Sequence, residues 1–114
     1  MSNMNTTTAI MSQKPVDLVH LAKQTMGDRD LEREVLSLFV NQSSIYLKRL
    51  VEAKSGAERK MAAHTIVGSA RGLGAWKVAE EAAKIEANTH IRMDYCELTG
   101  AVDEANNYIG KLIN

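Results

Sequence analysis

The chain has little of what strands, disulfide scaffolds and membrane spans are made from. Pro15 is its only proline, so residues 16–114 carry none, and few stretches are rich in β-branched residues; both facts favour helices. Cys96 is its only cysteine, which excludes an intrachain disulfide and fits a reducing compartment. Cys96 itself reads as a plain helix residue, not a nucleophile. With 14 basic and 14 acidic residues the formal net charge is zero, so no global field draws the molecule to nucleic acid or to an anionic membrane. No apolar run approaches the ~20 residues needed to cross a bilayer. The N-terminus lacks the basic region and apolar stretch of a signal peptide. The expected location is the cytoplasm, with neither nucleic acid nor membrane as partner.

The motifs of several enzyme classes are missing too. There is no phosphate-binding Gly-x-x-x-x-Gly-Lys loop and no Gly-x-Gly-x-x-Gly turn. No serine or cysteine stands with matched partners for nucleophilic catalysis. His20, His64 and His90 are scattered, without a Cys or Asp/Glu cluster at ligand spacing, so no metal site is expected. Glu86 and His90, four apart, read as a surface contact within one helix.

What remains is one domain's worth of amphipathic helix, 114 residues in all. Residues 1–14 are polar and nearly uncharged and read as a flexible tail; residues 15–114 read as the folded domain. Pro15 precedes a short first helix, about Val16 to Met26, that Gly27 ends. Asp28 or Asp30 caps a long second helix reaching Lys54, with Leu31, Val35, Leu38, Phe39, Ile45, Tyr46, Leu47 and Leu50 as a broad apolar stripe. Ser55-Gly56-Ala57-Glu58 has the form of a capping box and opens a third helix that the Gly72-Leu73-Gly74 punctuation breaks. A fourth, about Ala75 to Thr89, buries Ala75, Val78, Ala79, Ala82 and Ile85. A last helix after Asp94 carries Tyr95, Leu98, Val102, Ala105, Tyr108, Ile109 and Leu112 on one stripe. Short loops between long amphipathic helices predict antiparallel neighbours: an all-α, up-down-up-down four-helix bundle with a short extra N-terminal helix. Trp76 and Phe39 are assigned to packing.

His64 does not follow the packing pattern of its helix. At about 100° per residue, Ala62, Ile66, Ser69 and Leu73 fall on one side of the wheel. His64 falls on the other, within about 40° of Lys60, Gly68 and Arg71. No acid lies on that face between Lys60 and Arg71, and no carboxylate is in view to form a charge-relay pair with the ring. Gly68 costs the helix about 1 kcal/mol relative to alanine. Its place on the outer face, one turn after His64, favours access to the imidazole over tight packing as its reason. Neutral imidazole is a good nucleophile near pH 7, and two nearby cations suit an added phosphoryl group.

The run His64-Thr65-Ile66-Val67-Gly68-Ser69, followed by Leu73-Gly74-Ala75 and the alanine-rich Val78–Glu86, resembles the histidine-containing phosphotransfer domain of multistep two-component phosphorelays. The resemblance covers roughly residues 16 to 114, and its specific part is His64 through Glu86. It implies that His64 is the phosphoryl acceptor and that Gly68 leaves room for a docking receiver domain. The family's lysine three residues after the histidine is replaced by Val67. Lys60 and Arg71 are then the candidates to substitute electrostatically, and Val67, placed outward beside His64, becomes an apolar docking contact. On this reading the chain is a monomeric phosphocarrier and not an enzyme. It passes phosphate between response-regulator receiver domains, fed by a hybrid histidine kinase. It has no cofactor of its own, Mg²⁺ being supplied by the receiver. The second reading is a helical adaptor that docks a receiver or kinase without carrying phosphate. A histidine-dependent phosphatase or a metal-bundle protein is the third, disfavoured by the missing supporting residues.

Overall fold

The computed structural model describes residues 14–89 and 94–113. Nearly all of the expected tail, together with His90, lies outside the described residues. Among the described residues, five α-helices follow in order: α1 Leu18–Gln24, α2 Arg29–Glu52, α3 Gly56–Leu73, α4 Trp76–Ala87 and α5 Cys96–Ile113. Among the described residues there is no strand. The fold is all-α, and none of its described helices is long and apolar enough to cross a membrane.

The helix starts follow from short polar side chains. Asp17 caps α1 by accepting from the His20 amide, Asp28 caps α2 through the Leu31 amide, and Ser55 caps α3 through the Glu58 amide. The capping box is completed differently from expectation. Glu58 reaches back to the amide of Lys54 (3.0 Å), one residue before the one expected. The end of α3 needs a glycine. Gly74 has φ +83°, and the Ala75 amide bonds back to the Ala70 carbonyl at 2.8 Å, closing the helix with a left-handed residue. A Cβ on Gly74 would lie 2.8 Å from the Asp17 Cβ, so the position also lets α1 approach closely.

Helix contacts run α2 to α3, α3 to α4, α4 to α5 and α5 back to α2, with α1 laid against α3. The core between them comprises Leu36, Phe39 and Leu50 of α2, Ile66 and Leu73 of α3, Val78 and Ile85 of α4, and Leu98, Val102 and Ile109 of α5. Alanines 75, 79 and 82 are buried as expected, and they keep α4 thin enough to lie close to its neighbours. The α2 stripe is narrower than its sequence pattern. Leu31, Leu38 and Ile45 are exposed, while Leu36, absent from the expected stripe, is buried. Helix α2 is covered on one flank only, so apolar residues beyond that flank stay at the surface. Trp76 is a rim residue, whereas Phe39 belongs to the core.

Candidate functional site

Helix α3 is flanked by α2 on one side and α4 on the other. Its buried residues are Ala62, Ala63, Ile66, Val67, Ala70 and Leu73, an arc of about 140° on the wheel. That leaves one solvent ridge, on which Lys60, His64, Gly68 and Arg71 are all exposed. Four of the five expected site residues therefore share a surface. Val67 does not. It is only 4% exposed, in the core cluster, and the expected outward docking contact is corrected accordingly. The alanines of α4 explain the difference. They let α4 close over the flank of α3 that carries Val67, and no pattern internal to α3 records that neighbour.

The same α4 brings a carboxylate to the histidine. Glu86, in the last turn of α4, places Oε2 2.7 Å from Nδ1 of His64. The expectation that no carboxylate stands beside His64 is overturned: the acid comes from 22 residues along the chain. The expected surface pairing of Glu86 with His90 lies outside the described residues. An ionised carboxylate only accepts hydrogen bonds, so Nδ1 carries the proton and donates it. The neutral ring then has its lone pair on Nε2. The His64 side chain is 74% exposed and that of Glu86 24%, so the anchor is half-sheltered while the ring faces water. A carboxylate near a helix C-terminus opposes the macrodipole. Glu86 sits there against local preference, with His64 as its partner.

The space around the ring is open. A Cβ built on Gly68 meets nothing within 4 Å, so close packing does not explain this glycine. Lys60 precedes His64 by one turn, about 6 Å along the axis, and Arg71 follows by two turns, about 10 Å. The second distance exceeds the Debye length of about 8 Å at physiological salt, so Lys60 is the nearer source of positive field. Beside Gly68 runs a groove of about 350 Å³ between α1, α2 and α3, floored by Gly68 and Gly72 and edged by Leu31 and Leu38.

The other histidine among the described residues has a different job. Nε2–H of His20 donates to the Arg71 carbonyl at 2.9 Å, and its ring meets Trp76 edge-on at 4.8 Å. The indole N–H of Trp76 donates to Asp17 at 3.0 Å. That bond and the amide of His20 hold the Asp17 carboxyl below its ordinary pKa. These contacts fasten α1 to the α3–α4 turn. On α4, Glu81 is buried but bonded to Lys84 at 3.0 Å and paired with Lys77 at 3.4 Å, which lowers its pKa, Lys84 contributing most. Cys96 is exposed, and its thiol is pushed up in pKa by Asp94, opposite to what a nucleophile needs. Among the described residues no group of three or more His, Cys, Asp or Glu is placed to hold a metal ion. No family model, curated protein or solved structure matches the chain.

Proposed function

We propose that this protein is a phosphorelay carrier whose acceptor is Nε2 of His64. The observation that carries the reading is the Glu86 contact, which occupies Nδ1 and leaves Nε2 of an exposed ring as the nucleophilic nitrogen. In the proposed step the Nε2 lone pair attacks the phosphorus of an aspartyl phosphate on a receiver domain. The phosphorus–oxygen bond to the aspartate breaks, and that carboxylate leaves with the bonding pair. Nδ1 keeps its proton, now shared with Glu86, which stabilises the positive charge that the ring acquires. A carboxylate of a second receiver reverses the step. Mg²⁺ in this reading belongs to the receiver. The chain itself contributes an oriented nucleophile, the Lys60 charge and the open turn at Gly68. A hybrid histidine kinase is the proposed source of phosphate, and the cytoplasm the proposed site of action.

The proposed architecture for this task is an antiparallel up-down-up-down four-helix bundle of α2 to α5, acting as a monomer. The closed ring of helix contacts supports it. Incubation with a phosphorylated receiver or a small-molecule phosphodonor tests the function. Acid-labile label is expected on the wild type and on His20→Gln, and none on His64→Gln. Label retained by His64→Gln moves the acceptor elsewhere.

One observation favours a second reading, that of an adaptor which docks a receiver or kinase without carrying phosphate. The lysine of the resembling family is absent, and its replacement Val67 is buried, so no side chain at that position reaches a phosphoryl group. Receiver binding that is unchanged in His64→Gln, with no label on the wild type, selects it.

A further inference from the structure

We propose that this chain pairs weakly with a second copy of itself along the outer face of α2, antiparallel, about a two-fold axis between Asn41 and Gln42. The first observation is an apolar row that nothing in the chain covers. Leu31, Leu38 and Ile45 follow one another at steps of seven along α2 and are 41%, 57% and 44% exposed. A step of seven drifts only about 20° around a straight helix, so the three share one row. Leu38 lies about 160° around the axis from the buried Leu36, so the row points away from the core. Apolar residues at heptad spacing are what one helix offers to another.

The second observation is the order of charge along that row, which selects the occupant. Glu34 stands exposed near one end, and Lys48 and Arg49 stand exposed near the other. Glu34 falls within about 40° of Leu38 and Arg49 within about 20°. None of the three forms an ion pair among the described residues. Arg49 lies over the Tyr46 ring at 4.9 Å, which leaves its charge unneutralised. A parallel second copy sets like charges against each other, which opposes it. An antiparallel copy does the reverse. Glu34 and Arg49 are equidistant from the proposed axis, as are Leu38 and Ile45. Each Glu34 then faces Lys48 and Arg49 of the second copy, each Leu38 faces Ile45, and symmetry repeats both contacts. The face is thus complementary to itself in charge and in apolar surface. At the ends Leu31 comes opposite Glu52, so the apolar centre of the pair is small. A single helix pair of this kind falls short of the roughly 1,200 Å² of a stable interface, so pairing depends on concentration.

Pairing is independent of the carrier reading, in which the single chain is the working form and His64 labelling is a separate test. Sedimentation equilibrium of the full chain from micromolar to millimolar concentration tests it. The average mass of the wild type is expected to rise above that of one chain as concentration increases. Leu38→Glu is expected to stay at the single-chain mass throughout, with unchanged helical circular dichroism, because the position is exposed. Two charge variants probe the register: Glu34→Lys, and Lys48→Glu with Arg49→Glu. Each alone sets like charges across the axis and is expected to weaken pairing about tenfold. An equimolar mixture of the two restores opposite charges on both sides and is expected to associate as the wild type does. A wild type that keeps the single-chain mass at millimolar concentration overturns the proposal. So does association that survives Leu38→Glu, since the contact then lies elsewhere. A mixture that associates no better than its components overturns it as well, since the copies then do not meet in the antiparallel register.

Discussion

Glu86 decides which nitrogen of His64 keeps a free lone pair. An isolated neutral imidazole distributes its proton over both nitrogens, and a carboxylate 2.7 Å from Nδ1 removes that choice. Glu86→Ala is expected to mix the two tautomers, visible in ring ¹⁵N shifts, and to slow phosphoryl acceptance about tenfold. That corresponds to roughly 1.4 kcal/mol, modest because the pair is open to water. Glu86→Gln keeps an acceptor oxygen and relieves the clash with the α4 dipole, so the tautomer with its proton on Nδ1 should persist. An unchanged tautomer balance in Glu86→Ala would remove Glu86 from the mechanism. Two neighbours of the ring respond in opposite ways. A Cβ at position 68 meets nothing within 4 Å, so Gly68→Gln brings no clash at its Cβ. It should therefore gain about 0.5–1 kcal/mol of stability from helix propensity while slowing transfer. Val67→Lys drives a charge into the core and should cost more than about 2 kcal/mol in denaturant unfolding.

Helix α1 is short and attached mainly through polar contacts. Asp17 caps it and also accepts from Trp76, the only tryptophan, so the emission of Trp76 reports whether α1 is seated. Asp17→Ala should cost about 0.5–2 kcal/mol and red-shift that emission. The same contact makes the seating of α1 pH-dependent. The folded-state pKa of Asp17 is depressed below its ordinary value of 3.8. The stabilisation is thus complete above about pH 4–5 and is lost as the pH falls through the folded pKa. The indole signal should change in acid before the far-ultraviolet circular dichroism does. Gly74→Ala, with its positive φ and the Asp17 backbone against it, should unseat α1 at a cost above about 1 kcal/mol. On α2, Leu36→Ala should cost about 2–5 kcal/mol. Leu38→Ala, at an exposed position, should stay within about 0.5 kcal/mol. Equal costs would mean that the covered flank of α2 has been misassigned.

For the whole molecule, the local grammar of helices was readable one segment at a time. A chain without proline after residue 15, with Asp28, Ser55 and Gly74 at helix ends and alanines 75, 79 and 82 in phase, specifies the helices and their order. Exposure of His64 followed from the same local count, because its neighbours at one-turn spacing are Lys60 and Gly68. Caps, breaks and periodicity act within a few residues, so they are written where they act. Which flank of α3 is covered, and by what, is not local. It required α4 to pack against α3. That packing buried Val67, which the wheel had placed outward, and delivered Glu86 to Nδ1 from 22 residues away. The packing of α3 and α5 against α2 likewise divided its broad apolar stripe into a buried part with Leu36 and an exposed part with Leu31, Leu38 and Ile45. A sequence pattern gives the angle of a side chain about its own helix axis. Only the neighbouring helix decides whether that angle meets water, a core or a carboxylate.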